Sequence, residues 1–383
     1  MGGPIVQSGV RRIFARLFGN RGSPASGMGD FVAFVGVLST QIQVHPQDQI
    51  YSDLASARLR VIIPARELAR RFPVWLVPIA EFIERPRLEH LGRPHAIVIG
   101  KLSSAEVVAK QGQLRQLISA LRKGESQGRL FADLSDDYAA LAKAWGKPFL
   151  REYQRGLGRA CEFIVATEAL ASSVRRDARR GLLVIEDPFE SAEARPVRAW
   201  SAGPVRLAWF GALGTVNLAL IERELEELAR AFPDLPILVE LVAPSVARQT
   251  VKAIGTRLAS AYPRFSVSFT AWSLAATDAA IERADFVWLP QEHHAAWGRV
   301  KSHNRLVSAI RGGRLAIASP IPSYQELAPY AWVGEPLSEG VRWALGNPQE
   351  AAQRVREGQR YVEQRFSPDR IGRRWAEVLG LQP

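Results

Sequence analysis

The feature that most constrains this chain is an alternation, met twice, of short apolar runs with longer segments of helical period. From residue 31 the runs are "FVAFVGVL" (31–38), "VWLVPI" (74–79), "HAIVIG" (95–100), "RLFADL" (129–134), "EFIVAT" (162–167) and "LLVIED" (182–187). Helix-period stretches at 49–71, 104–123 and 137–158 lie between them. Runs that are apolar at successive positions belong to strands buried on both faces, and strands joined through helices pair in parallel. The pattern restarts with "VRLAWF" (205–210), "ILVELV" (237–242), "FSVSFT" (265–270), "DFVWLP" (285–290) and "RLAIAS" (314–319), with helices expected at 216–231, 245–261, 274–283 and 302–312. The expected fold is therefore α/β, with two tandem Rossmann-like, doubly wound domains whose strand-to-helix loops face a cleft.

"DPFESAEARPVRAWSAGP" (187–204) is rich in Pro, Ala and Ser, lacks a period and reads as a linker. The expected division is a basic arm at 1–29, an N-terminal domain at 30–190, a linker at 191–204 and a C-terminal domain at 205–383 whose terminal helices pack back. A chain of 383 residues fits two hydrophobic cores.

A net charge of +12 favours anionic partners without choosing among them. The basic residues are spread along amphipathic segments without aromatic interleaving, so nucleic acid is an unlikely partner on composition. Arg11, Arg12, Arg16 and Arg21 precede the first acid, Asp30, with Ile13, Phe14, Leu17 and Phe18 at helical spacing. That arm is either frayed or a peripheral contact with an anionic membrane. It lacks the apolar stretch and cleavage site of a signal peptide, and no apolar run is long enough to span a bilayer. A single cysteine, Cys161, forms no internal disulfide, and a cytoplasmic setting is expected.

The chemistry concentrates in "KSHNRLVSAIRGG" (301–313), directly after the run that ends at Pro290. Ser302 occupies an N-cap position, Leu306, Val307 and Ile310 form a buried stripe, and Gly312 and Gly313 end the helix. A helix start offers amides and positive dipole to a phosphate, Lys301 a compact charge and Arg305 a bidentate fork. The alternative is a pair of solvated cations beside an ordinary cap. A P-loop does not fit, because Val300 stands where the glycine is required.

"KSHNRLVSAIRGGRLAIASPIPSYQEL", with "VRLAWFGALGTVNLALIERELEELA" before it and "RVREGQRYVEQRFSPDRIGRRWAEVL" after it, resembles the C-terminal domain of GT-B glycosyltransferases of the group 1, family-4-like kind. The resemblance covers residues 205–379; over 30–195 it is mainly architectural, through "RLFADLSDDY" and "FIVATEALASSVR". It implies a glycosyltransferase without an obligatory metal or other cofactor, a nucleotide-diphosphate sugar donor on the second domain, and a glycan, lipid-linked or small-molecule acceptor on the first. Lys301, Asn304 and Arg305 would contact the diphosphate, with Ser302 beside them, and Gly211 and Gly214 of "FGALGT" would admit the donor to the backbone. Many relatives carry a Glu-x7-Glu pattern. Here the second position is Ser308, and the first falls near Val300. The missing pair leaves open a catalytically silent GT-B protein that serves as a binding or assembly subunit in a polysaccharide pathway. Glu326 is a candidate substitute carboxylate, although Ser323 and Glu326 also stand at capping-box spacing.

In the first domain, Ser39, Thr40, Gln41 and His45 follow the first run, Lys101 and Ser103 the third, and Asp133, Asp136 and Asp137 the fourth. All are expected at the cleft. His45, Lys101, Asp133 and Asp137 are the candidates for handling the acceptor's proton, with Asp136 a plausible N-cap. His293 and His294 are adjacent and expected to point apart, and with His303 they match no zinc spacing, so no metal site is expected. No Gly-x-Ser-x-Gly elbow or Gly-x-Gly-x-x-Gly turn occurs, which disfavours serine hydrolases and dinucleotide oxidoreductases.

Overall fold

A computed structural model describes residues 30–36, 40–47, 49–100, 102, 104–122, 128–191, 193–213 and 215–381. The basic arm at 1–29 lies outside the described residues. The chain forms two compact units, one reaching to Glu186 and resuming at Pro368, the other running from Asp187 to Ser367.

The first unit is built on strands β1 (Phe31–Gly36), β2 (Ile42–Gln43), β3 (Val74–Pro78), β4 (Pro94–Ile99), β5 (Arg129–Leu134), β6 (Glu162–Val165) and β7 (Leu182–Val184). They lie in the order β2-β3-β1-β4-β5-β6-β7, and every pairing is parallel except β2 with β3. The six apolar runs of the sequence are six of these strands. β2, two residues long, is too short to show a period. The expected helix at 49–71 is shorter: Ala55–Ala57 leads into a wide π turn at Arg58–Ile62 and on to Ile63–Ala69.

The last helix, Pro368–Leu379, belongs to this first unit. Its buried stripe, Ile371, Trp375 and Val378, lies at i, i+4 and i+7, and Trp375 sits 5.6 Å from Phe34 of β1, ring to ring. Covering a ring as large as Trp375 stabilises by roughly 2–3 kcal/mol, which explains why the chain returns here. The expected boundary of a second domain at 205–383 therefore ends at Ser367 instead.

The second unit carries β8 (Val205–Phe210), β9 (Ile237–Ala243), β10 (Phe265–Ala271), β11 (Phe286–Leu289), β12 (Leu315–Ala318) and β13 (Trp332–Val333) in the order β10-β9-β8-β11-β12-β13, all parallel. The chain steps outward from β8 on one side and returns on the other. That reversal opens a crevice between the carboxyl ends of β8 and β11, the place where open α/β sheets bind ligands.

The expected linker is held to this unit. Arg195 N–H donates to Arg311 O at 2.9 Å and Arg198 N–H to Gly313 O at 3.1 Å. The buried Arg314 guanidinium donates to Pro196 O at 3.1 Å, Ala284 O at 2.7 Å and Glu282 O at 2.7 Å. Burial pushes its pKa down, and the carbonyls answer the charge. A stretch without a period is fixed here by backbone bonds to Arg311 and Gly313 and by the Arg314 side chain.

Candidate functional site

The crevice of the second unit is built from two turns. After β8 the chain passes through Gly211 at φ +155°, a conformation that a side chain strains. A Cβ there would stand 3.3 Å from Nη1 of Arg305 and 3.4 Å from the Trp209 ring. After β11 the chain runs from Pro290 to the helix Asn304–Arg311. Leu306, Val307, Ala309 and Ile310 of that helix are buried, as its stripe requires.

The N-cap of this helix is His303, not the expected Ser302, and it caps with no side-chain bond. The His303 ring is 1% exposed and packs 4.5 Å from Phe366, so packing rather than a hydroxyl sets where the helix begins. The first intrahelical bond runs from Val307 N–H to His303 O at 2.9 Å. The amides of Asn304, Arg305 and Leu306 precede it and have no partner within the helix.

Two cations flank those amides. Arg305 Nη1 makes a long contact of 3.4 Å to Phe210 O at the end of β8, which brings Arg305 beside Gly211 across the crevice. Nζ of Lys301 lies 5.6 Å from the Trp297 ring, and Lys301 O accepts from Ser323 Oγ at 2.6 Å. Ser323 thus braces Lys301 instead of capping. The helix Pro322–Gln325 follows Ile321 without a side-chain cap, which corrects the expected capping box. Glu326 has its carboxylate 3.7 Å from Arg365. Ser308 Oγ donates to Asn304 O at 2.9 Å, a bond within its own helix. Gly214 lies outside the described residues, and half-buried Ser302 stands two residues before the helix.

The first unit uses its candidates differently. Asp133 is 1% exposed, and its carboxylate takes Arg60 Nη2 at 2.6 Å and Nε at 3.1 Å. Arg60 Nη1 reaches Ile185 O at 2.5 Å, and the guanidinium lies 5.5 Å from the Trp375 ring. Asp133 is therefore a buried structural partner rather than a loop residue open to an acceptor. Asp137, not Asp136, is the N-cap of Tyr138–Trp145, accepting from Ala139 N–H at 2.9 Å, Ala140 N–H at 3.0 Å and the Ser173 hydroxyl.

His45 is exposed and stands on the wrong edge of the sheet. β2 runs antiparallel to β3, with Ile42 opposite Leu76 and Gln43 opposite Trp75, and Val44 N–H reaches Val74 O at 2.9 Å. The chain is thereby carried to the amino end of the parallel strands, away from the edge that binds ligands. Lys101 and Ser103, like Ser39, lie outside the described residues.

One group was missed from the sequence. His293 and His294 do not point apart: their ring centroids are 3.8 Å from each other, and His293 Nε2 is 3.0 Å from Oε2 of Glu335, which follows β13. Adjacent side chains diverge on a regular strand, but this loop closes so tightly that a Cβ on Gly298 would fall 1.6 Å from Glu292 O.

No protein-family model matches this sequence, and no curated protein does. Solved structures do. The Anabaena protein HepE, solved with UDP, is 14% identical, with a TM-score of 0.62 over 92% of this chain and 100% of its own. An E. coli structure of trehalose-6-phosphate bound with UDP-2-fluoro glucose gives 9% identity and a TM-score of 0.61, covering 92% and 99%. WaaG, a glycosyltransferase involved in lipopolysaccharide biosynthesis, gives 12% and 0.56, covering 91% and 99%. Together with the two mainly parallel sheets these matches establish the GT-B fold, with two Rossmann-like domains.

Proposed function

We propose that this chain transfers a sugar from a nucleotide-diphosphate donor to a glycan or lipid-linked acceptor. The observation that carries the reading is the meeting of Gly211 and Arg305, far apart in sequence, where the second sheet reverses, beside the open amides of a helix start. HepE and the E. coli structure hold UDP or a UDP sugar, which makes UDP the first nucleotide to test.

In this reading the amides of Asn304, Arg305 and Leu306 take phosphate oxygens, Arg305 spans the crevice and Lys301 neutralises. As the bond between sugar and phosphate lengthens, its electron pair passes to the leaving diphosphate. Donors already in place stabilise that charge without reorganisation, so transfer is expected without a metal. Gly211 admits the donor where a side chain would displace Arg305. Asp133 and Asp137 are committed to the fold, and Lys101, which follows β4, is the residue we retain for acceptor contact. Lipid-linked acceptors would be met at the inner face of the membrane, with the 1–29 arm as a basic contact.

Calorimetric titration of UDP, GDP and TDP tests the donor site. The wild type should bind one of them, and the double variant Lys301→Ala, Arg305→Ala should weaken it about 100-fold or more, since each charge-assisted contact contributes about 1.5–3 kcal/mol. A wild type that binds none, or a double variant that binds equally well, overturns the reading. Ser308, bonded within its helix, puts no carboxylate there for a ribose. Nucleotide binding without turnover on any donor and acceptor would therefore favour the silent subunit.

A further inference from the structure

We propose that His293, His294 and Glu335 form a binding site for a divalent cation of the zinc class. Three residues from two crossovers converge: His293 and His294 on the loop after β11, and Glu335 just after β13. One potential ligand atom from each lies within 4.8 Å of the other two. Around a tetrahedral zinc with bonds of roughly 2.0–2.2 Å, neighbouring ligand atoms stand roughly 3.3–3.6 Å apart, so small side-chain rotations complete the set.

The second contact of His293 is the informative one. Its Nδ1 faces Gln291 O at 3.2 Å while Nε2 faces the Glu335 carboxylate at 3.0 Å. Both ring nitrogens look at acceptors. A neutral imidazole has one proton and satisfies only one of them. An imidazolium would donate to both acceptors; with a single proton, on Nδ1 and held by the Gln291 carbonyl, Nε2 turns its lone pair toward the carboxylate, and a divalent cation would take both. A carbonyl that fixes the tautomer in this way is the usual outer support of a metal-bound histidine.

The scaffold holds both arms. Gln291 N–H donates to Ser319 Oγ at 3.0 Å, and Gly334 N–H donates to Ala318 O at 3.0 Å, so the two segments are pinned to consecutive residues at the end of β12. His293 is half-buried, whereas His294 and Glu335 are exposed, which leaves an entry path and a fourth position for water. Two imidazoles and one carboxylate favour zinc, cobalt or nickel over calcium or magnesium, which prefer oxygen ligands.

Cobalt is the probe, because it reports its geometry by visible absorption. Untagged full-length protein, titrated with Co2+ in the absence of nucleotide, should give a saturable tetrahedral-type spectrum at one ion per chain, displaced by one equivalent of Zn2+. His293→Ala and Glu335→Gln should each weaken binding at least tenfold, while Lys301→Ala should leave it unchanged. The exposed positions of His294 and Glu335 make His294→Ala and Glu335→Gln the variants that keep the fold, which circular dichroism checks. No binding by the wild type, or equal binding by the His294 and Glu335 variants, overturns the site. Because no donor or acceptor is present, failure here is distinct from failure of nucleotide binding.

Discussion

The two sheets wind alike around their first strands, as β3-β1-β4 and β9-β8-β11, yet they put ionisable residues to different uses. In the first unit, Arg60 and Asp133 are each 1% exposed and satisfy one another deep in the core. In the second, Lys301 and Arg305 are half-buried at a helix start, and Arg305 makes only a long backbone contact among the described residues. On the proposed function, a charge near the carboxyl edge of a sheet serves as a ligand contact where it is half-buried, as Arg305 is, and as a structural pin where the fold has claimed its hydrogen bonds, as in Arg60 and Asp133.

The largest expected effect tests the structural half of that comparison. Asp133→Ala leaves the Arg60 guanidinium buried without its carboxylate, a change that costs about 3–5 kcal/mol. Thermal unfolding should show a fall of many degrees or an insoluble product. A loss under about 1 kcal/mol would return Asp133 to the list of acceptor residues. The ligand half predicts the reverse for Lys301→Ala with Arg305→Ala: nucleotide affinity falls about 100-fold while unfolding stability stays within roughly 0.5 kcal/mol of wild type. Equal destabilisation by the two sets of changes would erase the distinction between the units.

Gly211→Ala lies between these two. Strain at φ +155° and the crowding of Arg305 should cost about 1–3 kcal/mol in stability. It should also weaken nucleotide binding without removing a charge. Asp137→Ala, by contrast, should act on stability alone, by about 1 kcal/mol for a lost N-cap. A variant of Asp137 that folds as wild type but changes the pH profile of transfer would reopen its candidacy.

The strands were legible because each is an apolar run, and parallel burial on both faces writes itself into consecutive residues. The helix Asn304–Arg311 was legible for the same reason: its residues are contiguous. What was not legible depends on contacts between distant segments. Nothing in "RLFADL" says that Asp133 meets Arg60. Nothing near Ser302 says that His303, packed on Phe366, displaces it as N-cap. His45 was misplaced because two residues of antiparallel strand, Ile42 and Gln43, reverse the chain without leaving a period. The His293, His294 and Glu335 group was missed because its third member stands beyond two further strands and the helices between them, where no ligand spacing reaches. The last helix was assigned to the wrong unit because an amphipathic stripe names a buried face but not its partner.

The smallest effect compares the units through acidity. Glu67 in the first unit and Glu224 in the second each lie half-buried on a helix, and burial raises each pKa above the ordinary 4.5. Gly372 of the terminal helix covers the Glu67 side chain, while Arg70, paired to it at 2.8 Å, opposes the rise. A folded-state pKa above the unfolded value means that the folded state holds its proton longer. The stability linked to that proton is full below about pH 4.5 and is lost as pH rises through the folded value. Glu67→Gln and Glu224→Gln keep the shape and remove the titration. Each variant should therefore gain in Tm relative to wild type as pH rises above about 4.5, whatever constant offset the lost Arg70 or Arg223 contact adds. A difference that stays flat across that rise would mean that neither carboxyl is held against ionisation. A change in UDP affinity for Glu224→Gln would mean that the second unit's helices, and not only its crevice, respond to the ligand.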